Sequence, residues 1–259
     1  MQELISYIQE TFRGNSILFV GSGFSLTAKN TTDANIISSR QLTEKLYNAI
    51  SLESDNELSN AVDEYLLHNT ESELISLLKS EFSVKEISQE QKDVISIPWK
   101  RVYTTNYDDV VEMAYRANNK LASPITLSNK MNEIKDKFNC CIHLNGFIGS
   151  LTPDKIKSEF KLSDTSYLAE DFLKSEWITL LRNDIHDCDV VVFIGFSLRY
   201  DLDIRRIIYN SNINSSKIIF ILAEDEPEIN LRSFRKCGVP FTIGLKEFSR
   251  IIVSEKSEY

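Results

Sequence analysis

The sequence predicts an α/β protein built on a mostly parallel sheet flanked by helices, and three observations predict it. Short apolar, β-branched runs recur, as in Ile17-Leu18-Phe19-Val20 and Val190-Val191-Val192-Phe193-Ile194, and such runs suit strands covered on both faces. These runs finish in glycine or polar residues. Between them lie segments whose apolar residues repeat at the helical period.

Composition narrows the class. The chain has 259 residues, 42% hydrophobic and 26% charged, enough for one large α/β domain or two small ones. No run approaches the roughly 18 to 20 apolar residues that span a bilayer, and Met1-Gln2-Glu3-Leu4 lacks a secretory layout, so a cytoplasmic location and no membrane partner are expected. A net charge of −9 argues against a broad nucleic-acid surface, which needs clustered Lys and Arg. Cys140, Cys141, Cys188 and Cys237 show no Cys-x-x-Cys spacing, which excludes a standard zinc ribbon and disfavours disulfides. A scattered set of Cys140, His143, His186 and Cys188 is conceivable as a metal site, but buried thiols are the commoner case, and no metal is expected.

Taken in order, Leu4, Ile5, Ile8 and Phe12 mark a helix over residues 2–13 that stops at Gly14-Asn15. The strand Ile17 to Val20 runs into Gly21-Ser22-Gly23-Phe24-Ser25. Such a turn is either a cradle for a ligand's phosphates or an ordinary tight turn. Residues 27–39 are polar and read as a loop. Three helices then follow, one carrying Leu42, Leu46, Ala49 and Ile50, one opened by a capping box Ser54-x-x-Glu57, one by Thr70-x-x-Glu73. About 75 residues thus separate the first two strands, too many for a minimal crossover, so a helical insertion over about 40–97 is expected.

Val102 to Thr105 is the next strand, and Asn106-Tyr107-Asp108 leads into a helix bearing Val110, Val111 and Ala114. Asn106 and Asp108 either cap that helix or face a site. In Cys140-Cys141-Ile142-His143-Leu144-Asn145-Gly146, His143 and Asn145 share a strand face with Cys141. Here too a hydrogen-bonded filler histidine competes with a functional one. A helix over 176–187 precedes Val190 to Ile194, which ends at Gly195-Phe196-Ser197-Leu198. A helix from Asp201, the strand Lys217 to Leu222 with Glu224 past its end, and a last short strand at Phe241-Thr242-Ile243-Gly244 complete the chain.

In a parallel sheet all the strand ends lie along one edge, where such sheets bind ligands. Four polar or glycine corners there point to a nucleotide. The Gly-x-Gly-x-x-Gly fingerprint is unfinished, since Leu26 stands where its third glycine belongs, and there is no Walker-type Gly-Lys-Ser/Thr. An ordinary dehydrogenase or P-loop enzyme is therefore disfavoured.

Gly21 to Ser25, Thr105-Asn106-Tyr107-Asp108, His143-Leu144-Asn145-Gly146 and Gly195 to Leu198 together resemble the sirtuin signature in order and spacing, over residues 15 to 245, and are most similar to bacterial sirtuin-like domains of antiphage defence. The resemblance implies a Rossmann-like NAD-binding domain over 1–259 with a helical subdomain, and cleavage of the nicotinamide–ribose bond. Gly21, Ser22, Gly23 and Ser25 would hold the pyrophosphate, Asn106 and Asp108 would face the nicotinamide ribose, and Gly195 and Ser197 would contact phosphate or ribose. Glu224 joins the cofactor-binding set.

Two departures shape the expected function. Deacylating sirtuins carry a four-cysteine zinc module that this chain does not match, which favours water over acyl-lysine as acceptor and makes the protein an NAD hydrolase without zinc. The family's catalytic histidine directly precedes the strand-end glycine, and here that residue is Asn145, whose amide is no base at neutral pH. His143 is the substitute candidate, about 6 to 7 Å further down the strand. The resemblance also implies a homo-oligomer, or a partner subunit of a defence system. The competing readings are a sensor that holds NAD or ADP-ribose without cleaving it, and an assembly domain.

Overall fold

The computed structural model describes residues 1–134, 139–156, 160–162, 175–197, 202–210 and 215–258. Helix α1 (Gln2–Thr11) buries Leu4 and Ile8 and gives way to Gly14 at a φ of +80°, a backbone state that glycine adopts without strain. Strand β1 (Ile17–Val20) is buried throughout and runs into a single helical turn, α2 (Ser22–Ser25). The expected loop at 27–39 contains a two-residue strand, β2 (Lys29–Asn30). It escaped prediction because two residues show no alternation, and Asn30 Oδ1 builds its turn by accepting from the Thr32 and Ala34 N–H groups.

Helices α3 (Ser39–Ala49), α4 (Leu58–His68) and α5 (Glu71–Phe82) follow. The Thr70–Glu73 capping box forms as expected, but the Ser54–Glu57 box does not. Ser54 Oγ and Asp55 Oδ1 instead accept from the N–H groups of Asn56 and Glu57, and α4 begins only at Leu58. Strand β3 (Val84–Glu86) pairs antiparallel with β2. Then come α6 (Gln89–Ser96), β4 (Arg101–Thr104), α7 (Val110–Ala117), β5 (Ser123–Thr126), β6 (Cys140–His143), α8 (Pro153–Ile156) and α9 (Glu176–Asp187). The chain closes with β7 (Val191–Ile194), α10 (Leu202–Asn210), β8 (Ile218–Leu222), α11 (Glu228–Phe234), β9 (Val239–Thr242) and α12 (Gly244–Glu258). Leu198 and Asp201, which belong to the fourth motif and the predicted start of α10, lie outside the described residues.

Seven strands form one sheet in the order β5-β6-β4-β1-β7-β8-β9, every pair parallel. Strand β5 is not among the strands the sequence predicts, and its Pro124 is tolerated because β5 is an edge strand. Alternating residues of β1 separate the two cores. Leu18 and Val20 join the helices α1, α6, α7 and α12, whereas Ile17 and Phe19 join α9, α10 and α11. On that second face Phe19 stacks on Tyr103 and on Phe193, which in turn stacks on Phe220. The result is a Rossmann-like α/β fold.

At the start of β4 the sheet is locked to α9 by one carboxylate. Asp184, 2% exposed, accepts from Arg101 Nε and Nη2 at 2.5 and 2.9 Å and from the Tyr103 hydroxyl at 2.6 Å. Removing it strands a buried hydroxyl and a half-buried guanidinium. Asp184→Ala is therefore expected to cost about 2 to 3 kcal/mol, read as a lower urea midpoint at unchanged slope.

Candidate functional site

Chain order reverses at β1. Its neighbour β4 leads toward one edge of the sheet and β7 toward the other, so the topological switch point, where such sheets bind ligands, lies at the carboxyl ends of these three strands. The register aligns those ends, pairing Val20 with both Thr104 and Ile194, and Thr104 with His143. The motifs met separately in the sequence thus share one sheet edge.

The glycines there serve protein packing first. Gly21 N–H donates to Ile194 O at 2.9 Å and Gly23 N–H to Gly195 O at 3.0 Å. A Cβ on Gly21 would stand 2.5 Å from the Gly195 carbonyl oxygen, and one on Gly195, whose φ is +63°, would stand 2.2 Å from Phe24 N. Two backbone turns therefore touch without side chains between them. Ser22 and Gly23 remain exposed, Ser197 is half-buried, and Ser25 is buried.

The β4 turn is fastened to this pair. Thr104 Oγ1 donates to Val20 O at 3.0 Å and accepts the Asn106 N–H at 2.9 Å. Both Asn106 amide hydrogens are used, on Gly21 O at 2.9 Å and Ser25 Oγ at 3.0 Å, which leaves Asn106 Oδ1 without a hydrogen-bond partner among the described residues. The Asp108 carboxylate accepts the Val110 N–H at 3.1 Å, and the nearby Ser25 hydroxyl favours its ionised form. The capping reading does not hold as such: the N-cap of α7 is Asp109, without a side-chain cap bond, and Asp108 instead closes a turn one residue earlier. Burial pushes the Asp108 pKa up to about 6, against the pull of Ser25, Val110 and the neighbouring His143. A carboxyl group poised near neutrality therefore sits one hydroxyl away from Asn106.

His143 is fully buried beneath this turn. Its Nδ1 lies 3.1 Å from the Asn106 carbonyl oxygen, its Nε2 3.0 Å from Glu112 Oε1, and its ring 4.5 Å from that of Phe147. Burial alone would lower its pKa, but Glu112, the Asn106 carbonyl and Asp108 hold it above the ordinary value. With both nitrogens engaged, the ring has no lone pair left to take a proton from water, which weighs against the substitute-base role expected for it. Asn145 is half-buried past the end of β6, and its carbonyl accepts the Lys161 N–H at 3.1 Å. Gly146, at a φ of +106°, lets the Phe160 ring close over it. Tyr107 pins the same segment through its hydroxyl on Lys161 O at 2.6 Å. Glu224 is apart from this network, exposed beyond β8 with its carboxylate beside Gly244.

The metal set imagined from the sequence does not assemble. Cys140 faces the opposite side of β6 from His143, and His186 is exposed and paired with Asp187. All four cysteines are buried thiols. Glu112, Cys141 and His143 instead converge, their donor atoms within 4.8 Å of one another. His143 is already spent on hydrogen bonds, and burial together with Glu112 keeps the Cys141 thiol pKa well above normal. Sequence reading missed Glu112. The available signal was a carboxylate set within the apolar face Val110, Val111, Ala114 and Tyr115, four residues after Asp108.

This architecture defines a doubly wound α/β protein whose topological switch point lies at β1, between β4 and β7. A family profile described as SIR2-like domain matches residues 100–241, more than half of the chain, and the chain belongs to that family. Membership ties it to NAD, which SIR2-like domains bind, and to a family that includes NAD-dependent enzymes. No curated protein matches the chain. The matched region begins after the Gly21 to Ser25 turn, which the pairing of β1 with β4 and β7 inserts into its middle. Among the described residues no helix is long and apolar enough to cross a membrane.

Proposed function

We propose that the crevice binds NAD and hydrolyses its nicotinamide–ribose bond, and that the protein is an antiphage-defence effector that depletes NAD. What supports this reading is the set of groups at the switch point of the sheet: Asn106 spends its amide hydrogens on Gly21 O and Ser25 Oγ, and the near-neutral Asp108 carboxyl group stands two residues further on beside Ser25. Nicotinamide leaves a cationic ring as a neutral molecule and needs little acid assistance. Charge instead builds on the ribose, where a carboxylate stabilises it. Asn106 Oδ1 orients the attacking water, the ionised Asp108 supports the oxocarbenium-like ribose, and the proton released as the new C–O bond forms passes to Asp108. Ser22, Gly23 and Ser197 line the phosphate side, while Ser25, Gly21 and Gly195 shape it from within. Glu224 is assigned to the adenosine end, and Asn145 to the rim of the nicotinamide side. The setting we favour is a cytoplasmic oligomer or a complex with a partner subunit, without zinc.

Nicotinamide release by wild type and Asn106→Ala tests this. The variant should lose about 10² to 10³ in rate, as when one preorganised polar group is removed; unchanged turnover refutes the assignment. The wild-type rate should rise with pH through about 6 as Asp108 ionises, and a profile flat from pH 5 to 8 excludes Asp108 as the base. The second reading, an NAD sensor without turnover, draws on Asn145 in the histidine position and on the engaged nitrogens of His143. It requires that NAD raise the melting temperature while no nicotinamide appears.

A further inference from the structure

The Asn106 carbonyl oxygen only accepts, so the His143 nitrogen 3.1 Å from it carries a proton on Nδ1. Nε2 then meets Glu112 Oε1 at 3.0 Å. If Glu112 is ionised, Nε2 donates from an imidazolium; if it is protonated, it donates to a neutral ring. Either way the proton on Nδ1 stays. The carbonyl therefore selects the Nδ1–H tautomer by itself; what the Glu112 contact at Nε2 adds is a second anchor that stops the ring turning about its Cβ–Cγ bond and withdrawing Nδ1 from Asn106.

Stability is a poor explanation for such a pair. Glu112 and His143 are both 0% exposed, and Glu112 Oε2 and the neighbouring Tyr115 hydroxyl have no hydrogen-bond partner among the described residues. Apolar side chains of similar volume commonly hold a helix on a strand as well as a buried ionisable pair does. What this pair adds is a directed contact with the backbone of Asn106. We propose that Glu112 is a positioning residue: by anchoring Nε2 it keeps the His143 ring turned with Nδ1–H on the Asn106 carbonyl, and so holds the Asn106 turn, and with it the Asn106 amide and Asp108, against Gly21 and Ser25. The kinetic consequence rests on the NAD-cleaving reading; the structural one does not.

The test reads ring and reaction separately. Ring-nitrogen NMR shifts are recorded for wild type, Glu112→Leu and Glu112→Gln. The chain has three histidines, and His68 and His186 are exposed, so the buried ring is identifiable. Wild type and Glu112→Gln should both show an Nδ1 proton shifted as a hydrogen-bonded donor, because a glutamine amide can donate to Nε2, whereas Glu112→Leu, its ring no longer anchored, should lose that hydrogen-bonded Nδ1 signal. Nicotinamide release by Glu112→Leu should fall about 10²-fold in kcat with KM for NAD changed less than about twofold, the effect of a misplaced catalytic group, and Glu112→Gln should recover to within about tenfold of wild type. A Glu112→Leu protein that keeps the hydrogen-bonded Nδ1 proton and the wild-type kcat overturns the proposal. So does a Glu112→Gln protein that keeps the Nδ1 proton yet falls as far as Glu112→Leu. Should Glu112→Leu not fold, a wild-type ring found neutral with its proton on Nε2 overturns it equally. A wild type that releases no nicotinamide defeats only the NAD-cleaving reading, and the ring shifts still decide the role of Glu112.

Discussion

Asp108→Asn is expected to abolish NAD cleavage while making the folded protein more stable at neutral pH. The group has a folded pKa of about 6 against about 3.9 for an unfolded aspartate. Above pH 6 both states are ionised and the native state bears the full cost of a buried carboxylate. As pH falls through 6 the native state takes up its proton first, and stability rises until the unfolded group protonates as well near pH 4. A shift of about two units corresponds to roughly 3 kcal/mol across that window. Asparagine keeps an acceptor for Ser25 and Val110 and removes the charge, but it adds an amide N–H that must find a partner. A net gain of roughly 1 to 2 kcal/mol at pH 7 is expected, with a flatter profile between pH 4 and 6. Urea unfolding at several pH values, beside nicotinamide release, checks both halves. A variant that loses stability at pH 7, or keeps its turnover, contradicts the account.

Gly195→Ala should be the most damaging single methyl group in the chain. It places a Cβ 2.2 Å from Phe24 N and 2.5 Å from Gly23 C, both backbone atoms, at a φ of +63°. Neither neighbour can rotate away, so the two turns must part. The left-handed backbone alone costs about 1 to 2 kcal/mol, and the clash brings the expected loss to roughly 3 to 4 kcal/mol, or about 10 °C in melting temperature. NAD-dependent thermal stabilisation should vanish with it, because Gly23 and Asn106 are both registered on this contact. As a comparison, Ser22→Ala changes an exposed side chain between the same glycines and should leave the melting temperature within about 2 °C. Equal melting temperatures for Gly195→Ala and wild type would mean that the loops do not touch as described.

Much of the fold was legible because parallel strands buried on both faces write themselves as unbroken apolar runs. β1, β7 and β8 announced themselves in this way. Strand β5 did not, since Pro124 is acceptable only at an edge and no local pattern declares which strand is the edge. Strands β2 and β3 are two and three residues long and rest on a pairing between positions more than fifty apart. The site was legible as a list of corners but not as a network. No spacing rule says that Asn106 spends both amide hydrogens on Gly21 and Ser25, or that Gly21 faces the backbone of Gly195 and not a ligand. His143 looked available because alternation placed it on the face of Asn145. Glu112, which occupies its second nitrogen, arrives from another element.

The most direct measurement of the central claim is a reaction in heavy-oxygen water. Incubated with NAD, the protein should yield nicotinamide and ADP-ribose in equal amounts, with one heavy oxygen on the ribose carbon that carried nicotinamide; Asp108→Asn should yield neither, and Asn106→Ala should form both about 10² to 10³ more slowly. A wild-type protein whose melting temperature rises with NAD but which forms no nicotinamide would contradict cleavage at this crevice.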